Sequence, residues 1–254
     1  MEAYAREAAL DRVAAILETV EGEVMPVPVR EVWVYGDVAL GLDPIERLDV
    51  YVTKDLLFHG EASRSAEFEA EYGVAGVGQS VRAEWADRHP EYLRANSNGY
   101  AAPEKCLAAH LLPDTEPVHL EVCNTGFEDN VVQRLQGARA RDAYEEIIDP
   151  RGVCLWLGDG SNDVGSRDAA SSDGRSVDPE ESPDGESSAT AGAAGGRRSE
   201  DALRKLRAGE LVFPTLPEAL EMLGLDETAA ETAAESLRSQ RKSQDGTSVR
   251  GDVV

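Results

Sequence analysis

Hydrophobic and polar positions alternate along two short stretches near the beginning of the chain. Arg30–Gly36 is rich in β-branched and aromatic residues, which favour extended backbone. In Arg47–Thr53, three aliphatic residues fall on one face, and Asp49 and Tyr51 fall on the other. Successive side chains of a strand point to opposite faces, so both stretches are predicted to be β-strands.

Two later apolar stretches predict two more strands, Pro117–Cys123 and Gly152–Gly158. The second is almost wholly apolar, which predicts a central position in a sheet. Helical spacing of apolar residues, Pro103 as a first helical residue and a Thr125–Glu128 capping box predict the helices between the strands. The predicted helices are Glu2–Val20, Ala62–Tyr72, Gln79–Arg94, a helix from Pro103 to about Pro113, and a helix from Thr125 to about Ile148.

This order of elements indicates a mixed α/β (α+β) fold. We expect a globular domain over residues 1–157, with a small mixed sheet of about four strands flanked by helices. Residues 158–199 hold nine acids and four bases, and their only large apolar residues are Val164 and Val177. A segment with so little to bury is expected to be a disordered acidic linker.

A short helical element is predicted over residues 200–241, followed by a flexible tail over residues 242–254. Ser199 is placed to cap the first helix, and Thr215 begins a capping box with Glu218. Asp226 is placed to cap the last helix. The element has few large apolar residues, so we expect it to pack against the main domain.

The charge of the chain indicates the kind of cell in which the protein works. Of the 254 residues, 49 are Asp or Glu and 25 are Lys or Arg, which gives a net charge of −24. Four of the basic residues are lysines and 21 are arginines. An acidic surface with few lysines suits a salty cytosol, because salt screens the repulsion between carboxylates. The composition resembles that of haloarchaeal cytoplasmic proteins, and it disfavours nucleic-acid partners without excluding them.

Two further features favour a cytoplasmic location. No apolar run approaches the length of a membrane span, and the charged residues 1–20 lack the apolar core of a signal peptide. Cys106, Cys123 and Cys154 form no C-x-x-C pair, and their odd number argues against a disulfide framework. We expect them to be free thiols of a reducing compartment.

The strongest chemical motif is Gly36-Asp37 followed by Asp49 on the second strand. It resembles the signature of the nucleotidyltransferase fold, a glycine turn followed by a strand with Asp-x-Asp. The resemblance implies that the Gly36 turn contacts nucleotide phosphate. It also implies that Asp49, together with Glu121 of a later strand, binds Mg²⁺.

The motif departs from that signature at two positions. Asp37 places a negative charge where the resemblance puts phosphate, and Tyr51 stands where it puts the second metal-binding carboxylate. A structural alternative remains open, in which Asp49 and Tyr51 form the outward face of an amphipathic edge strand. The catalytic residues (Asp49, Glu121) and the nucleotide contact (Gly36) are therefore candidates only.

The chain as a whole resembles uncharacterised haloarchaeal families of unknown function. We interpret it as a non-catalytic nucleotidyltransferase-like or interaction protein, with an active Mg²⁺-dependent nucleotidyltransferase as the alternative. A protein partner could bind through the linker or the C-terminal helices. The last two helices also suggest a helix-turn-helix DNA-binding motif. However, the basic residues of the last helix, Arg238, Arg241 and Lys242, lie at its C-terminal end, whereas a recognition helix contacts DNA bases with its N-terminal part.

The charge predicts that stability depends on salt. Self-repulsion among 49 carboxylates is unscreened in dilute buffer, whereas the Debye length falls to about 3 Å at 1 M salt. We expect the melting temperature to rise steadily between about 0.1 M and 3 M KCl. Circular dichroism melts in a KCl series measure this, and a melting temperature that stays flat would remove the halophilic interpretation.

Overall fold

A computed structural model describes residues 4–23, 25, 29–54, 76–77, 100–101, 103–112, 116–158, 196–243 and 246–251. The helices are α1 (Arg6–Gly22), α2 (Pro103–Leu111), α3 (Phe127–Arg141), α4 (Glu200–Ala208), α5 (Leu216–Met222) and α6 (Glu227–Ser243). The strands are β1 (Val29–Tyr35), β2 (Leu48–Lys54), β3 (Gly76–Val77), β4 (Tyr100–Ala101), β5 (Val118–Cys123), β6 (Gly152–Gly158), β7 (Gly196–Arg198) and β8 (Ser248–Arg250). The helices predicted over Ala62–Tyr72 and Gln79–Arg94, and most of the predicted linker, lie outside the described residues.

The main sheet has six strands in the order β7-β6-β1-β2-β5-β8, and β3 and β4 form a separate parallel pair. The prediction of about four strands was therefore wrong. The two additional strands of the main sheet, β7 and β8, are three residues long and lie within the ranges assigned to the linker and the tail. Strands this short carry no recognisable alternation. They form because β6 and β5 offer their backbone edges for pairing.

Strand β2 lies in the interior of the sheet. It pairs antiparallel with β1 and in parallel with β5. All seven of its residues are buried, so the alternative of an amphipathic edge strand was wrong. Asp49 looked like a solvent-facing residue because it alternates with aliphatic neighbours, but both faces of the sheet are covered by helices. Strand β6, which was predicted to be central, lies one strand from the edge.

One face of the sheet is the main hydrophobic core. The aliphatic residues of β1, β2 and β5 alternate with polar or aromatic ones, and they point to this face. Helices α1, α2 and α4 cover it with Leu17, Leu107 and Leu206, none of which is exposed to solvent. Leu206 belongs to the predicted C-terminal element, which thus packs against the main domain as expected.

The opposite face of the sheet begins with an aromatic cluster under α3. Phe127 stacks on Trp33 with ring centroids 4.8 Å apart and contacts Tyr51 edge-on at 5.3 Å. Beyond this cluster, α5 and α6 pack together and against the end of α3 through a second apolar cluster that includes Leu135, Leu220 and Ala234. The polar residues of the central strands are enclosed between these helices and the sheet.

Most of the predicted helix starts agree with the structure. Ser199 caps α4, Thr215 and Glu218 form a capping box at α5, and Asp226 accepts a hydrogen bond from the Ala229 N–H at the start of α6. The Thr125 capping box was wrong, because the N-cap of α3 is Gly126 and makes no side-chain cap.

Helix α3 also ends earlier than the predicted Ile148. Asp142 adopts the left-handed conformation with φ 51°, and the Ala143 N–H closes back on the Ala138 carbonyl at 3.0 Å. Ile148 is buried in the non-helical segment that follows. None of the described helices combines the length and the hydropathy needed to cross a membrane. The described cysteines Cys123 and Cys154 are free thiols, as expected.

Candidate functional site

The candidate site lies on the polar face of the central strands. Because side chains alternate, the strands that place aliphatic residues on one face place Asp49, His119 and Glu121 on the other. Their exposed fractions are 0%, 4% and 3%, respectively. Three buried ionisable side chains on neighbouring strands must be compensated by partners, because an unpaired buried charge is costly.

Asp49 belongs to a cluster of three aspartates that converge on one arginine of α6. Arg241 Nη2 lies 2.6 Å from Asp49 Oδ2 and 3.0 Å from Asp37 Oδ1. Arg241 Nη1 lies 3.9 Å from Asp149 Oδ2. Asp37 follows β1 and Asp149 precedes β6, so the cluster joins two loops, a strand and the C-terminal helix.

Two further arginines complete this aspartate cluster. Arg47 Nε donates to Asp49 Oδ1 at 2.6 Å. Arg151 binds Asp149 in a fork, with Nε and Nη2 at 2.9 and 2.7 Å from the two carboxylate oxygens. The second oxygen of Asp37 accepts a hydrogen bond from the Glu46 N–H at 3.1 Å. Three guanidinium groups thus balance three carboxylates, and Asp49 has an arginine on each oxygen.

The surroundings of Arg241 hold it in its charged form. Burial lowers the pKa of its guanidinium, but the carboxylates of Asp49, Asp37 and Asp149 raise it by a larger amount, so the net direction is upward. Its side chain is only 10% exposed. Arg241 is therefore a buried cation bound to Asp49, one of the two residues for which the sequence predicted a metal ion.

Gly36 makes the approach of Arg241 possible. It adopts φ +67°, which favours glycine. A Cβ at this position would lie 2.6 Å from Arg241 Nη2 and 2.7 Å from Asp49 Oδ2. The nucleotide contact at Gly36 stays a prediction, and in the structure the groups beside this glycine are the Arg241 guanidinium and the Asp49 carboxylate of the same chain.

Glu121 is the centre of a second, separate group of charges, the glutamate cluster. Arg134 Nη2 of α3 lies 2.8 Å from Glu121 Oε2, and His119 Nε2 and Arg250 Nη1 lie 3.3 and 3.8 Å from Oε1. Burial raises the pKa of the Glu121 carboxyl. The hydrogen bond from His119 and the charges of Arg134 and Arg250 lower it by a larger amount, so the pKa is below its usual range. Ser248 of β8 completes the cluster, with its hydroxyl 2.7 Å from His119 Nδ1.

Tyr51 serves as a buried hydrogen-bonding residue. Its hydroxyl donates to the Thr125 carbonyl at 2.6 Å and accepts from Asn130 Nδ2 at 2.7 Å. Burial is the largest cause of a raised pKa for this phenol. A neutral phenol with both hydrogen-bonding positions occupied does not replace the second carboxylate of a metal pair.

Asp49 and Glu121 lie on one face of adjacent parallel strands, as the motif requires. In the register, Asp49 pairs with His119 and Tyr51 pairs with Glu121, so the two carboxylates are diagonal neighbours. Each is bound by its own arginines. A cavity of about 20 Å³ touches both clusters, which is room for roughly one water molecule. Within the described parts of the chain, no three metal-ligating side chains are grouped to hold a metal ion.

Sequence reasoning did not identify the partners of the predicted site residues. The signal for Arg241 was present, because it continues the buried stripe of Ala230, Ala234 and Leu237 along α6. An arginine at a position that faces the core predicts a buried carboxylate opposite it. Arg250 gave no such signal, since it belongs to a strand of three residues.

The aspartate cluster predicts a large effect of one substitution. Arg241→Ala leaves Asp37 and Asp49 without their shared cation, and removing one partner of a buried ion pair costs about 3–5 kcal/mol. Arg238→Ala is the matched control, since Arg238 is exposed one turn earlier and should change stability by less than about 0.5 kcal/mol. Urea denaturation at constant KCl measures the free energy of unfolding of both variants. Equal losses in the two would show that the aspartate cluster does not contribute to stability.

Comparison with known proteins identifies a family and no function. No curated protein and no solved structure matches the chain. The model of one protein family matches residues 5–172 and 188–254, which includes every residue of both charge clusters. The chain belongs to DUF7095, a family of unknown function.

Proposed function

We propose that this chain is a non-catalytic interaction or regulatory protein with a nucleotidyltransferase-like core. The observation that carries the proposal is the position of Arg241, whose guanidinium contacts both Asp49 and Asp37. In this proposal, Asp37, Asp49 and Glu121 anchor the C-terminal elements to the sheet. They do not hold a metal ion for catalysis.

The electrostatics of the aspartate cluster support this role. Mg²⁺ requires oxygen ligands at about 2.1 Å in near-octahedral geometry and is usually held by carboxylates together with substrate phosphates. Both oxygens of Asp49 already accept from guanidinium groups at 2.6 Å. An ion placed here would face the positive charges of Arg47 and Arg241 at short range, where Coulomb repulsion is strong.

Packing supports the proposal independently of charge. A metal ion at Asp49 would require Arg241 to leave, and Arg241 is carried by a helix whose other inner residues are buried. Ala230, Ala234 and Leu237 of α6 are 0%, 0% and 4% exposed. Moving the helix would therefore expose an apolar surface, at a cost of about 25 cal/mol for each Å².

The size of the enclosed space argues against a nucleotide between the two clusters. Ligand pockets for small molecules have volumes of about 300–1,000 Å³. The cavity beside Asp149, Glu121 and Arg241 has about 20 Å³. A nucleotidyltransferase-like core remains part of the proposal because Asp49 and Glu121 share one face of neighbouring strands and Gly36 lies beside Asp49.

We also infer a cytoplasmic location in a salt-rich cell of haloarchaeal type. The support is compositional, with 49 acidic residues and a net charge of −24. Several of the 21 arginines are buried in ion pairs and add no positive charge to the surface. Arg47, Arg134 and Arg241 have side chains that are no more than 10% exposed.

Two measurements test this proposal together, one of ATP binding and one of phosphate or nucleotide transfer. ATP with Mg²⁺ is titrated calorimetrically, and transfer of radiolabelled phosphate or nucleotide is followed in about 2–3 M KCl, the range that screens the charge of the chain. The variants are Asp49→Ala and Asp49→Asn, with Asp129→Ala, an exposed aspartate of α3, as the control. Asp49→Asn keeps the size of the buried side chain in case Asp49→Ala does not fold.

We expect no transfer by any of these proteins. Mg²⁺ should add no affinity for ATP in the wild type, because Asp49 has no free oxygen to offer. Transfer by the wild type and by Asp129→Ala that is lost in both Asp49 variants would overturn the proposal. The alternative, an active Mg²⁺-dependent nucleotidyltransferase, would then replace it.

A further inference from the structure

A second, larger space opens on the outer side of Arg241. This cleft of about 410 Å³ lies between the loop that follows β1 and the last turns of α6, and we call it the α6 cleft. Its volume falls within the range of small-molecule pockets, about 300–1,000 Å³. It is some twenty times larger than the cavity between the two charge clusters.

The charged lining of the α6 cleft has the opposite sign to the chain. Four basic and two acidic side chains line it, whereas the whole chain carries −24. The charged residues of the lining are Arg151, Arg238, Arg241, Lys242, Asp37 and Glu46. In a protein with roughly two acids for every base, a cleft with twice as many bases as acids is a local exception.

The basic groups differ in whether their charge is already used. Arg151 and Arg241 are bound to aspartates of the aspartate cluster. Arg238 and Lys242 are exposed, and among the residues that the structure describes neither forms an ion pair. The negative charge of Asp37 is committed as well, to Arg241 and to the Glu46 N–H. Arg238 and Lys242 therefore offer two uncommitted positive charges at the rim, which exceed the single negative charge of the exposed Glu46 side chain, and the other charges of the lining are paired.

One wall of the α6 cleft is apolar. It is formed by Leu40, Leu42 and Pro44 of the loop after β1, and Leu216 of α5 and Leu237 of α6 add apolar surface on the opposite side. Leu42 is 47% exposed. Apolar walls with a few well-placed polar groups are the usual composition of a small-molecule site.

We propose that the α6 cleft binds a small organic anion that has an apolar body and a phosphate or carboxylate group. The anionic group pairs with Arg238 and Lys242, and the apolar body packs on Leu42 and Pro44. Dissolved salt screens the long-range repulsion from the rest of the chain, while direct contacts at the rim remain. The proposal is independent of the non-catalytic role of Asp49, because the anion contacts neither Asp49 nor a metal.

The test uses phenyl phosphate, titrated calorimetrically at the lowest salt concentration at which the protein stays folded. We expect saturable binding to one site with a dissociation constant on the order of 1 mM or tighter. The double variant Arg238→Ala/Lys242→Ala should weaken binding about tenfold, since each rim charge makes a partly solvated contact. Both residues are exposed, so the variant should fold normally.

A matched control removes the same charge elsewhere. Arg204→Ala/Lys205→Ala changes two adjacent bases of α4, which do not line the cleft. We expect this variant to bind phenyl phosphate as the wild type does. Equal weakening in the two double variants would mean that only net charge matters, and it would overturn the proposal. Failure of the wild type to bind at all would overturn it too.

The apolar wall has a separate test. Leu42→Ser should weaken the binding of phenyl phosphate severalfold and leave the weaker binding of inorganic phosphate unchanged, because only the phenyl ring contacts the wall. If inorganic phosphate binds the wild type as tightly as phenyl phosphate does, the apolar body has no role and the proposed ligand class is wrong.

Discussion

The fold depends on the burial of Arg241 among three aspartates. Desolvating a guanidinium and several carboxylates costs several kcal/mol per ion, and only close, well-oriented pairing offsets that cost. Here Arg241 contacts Asp49 at 2.6 Å and Asp37 at 3.0 Å, and Arg47 and Arg151 balance the remaining charge. The sheet, two loops and the C-terminal helix must all be in place for this geometry to form. The cluster therefore specifies how these elements fit together.

The C-terminal segment supplies groups to both charge clusters. Arg241 comes from α6, and Ser248 and Arg250 come from β8, which pairs with β5 at the edge of the sheet. The polar face of the central strands is thus covered by residues about 130–190 positions away in sequence. In the folded chain, Asp49 and Glu121, the two residues that resemble a metal site in the sequence, contact Arg241 and Arg250 of the C-terminal segment.

The sequence predicted the local features and missed the long-range ones. All four predicted strands and the predicted caps of α4, α5 and α6 are present in the structure. They could be predicted because strand alternation and helix caps depend on residues that are neighbours in sequence. The faces of β2 were also correct, with Asp49 opposite the aliphatic residues. Its burial could not be predicted, because burial depends on helices and on partner arginines far along the chain. β7 and β8 were missed for the same reason, since their pairing partners define them.

We expect Arg241 and Asp49 to stabilise the fold through each other. A double-mutant cycle with Arg241→Met, Asp49→Asn and the combined variant isolates that term from the separate costs of each substitution. The two groups are buried and in direct contact, so we predict a coupling free energy of about 2 kcal/mol or more in urea denaturation at constant KCl. A coupling free energy below about 0.5 kcal/mol would contradict the claim, because it would mean that the two side chains contribute independently.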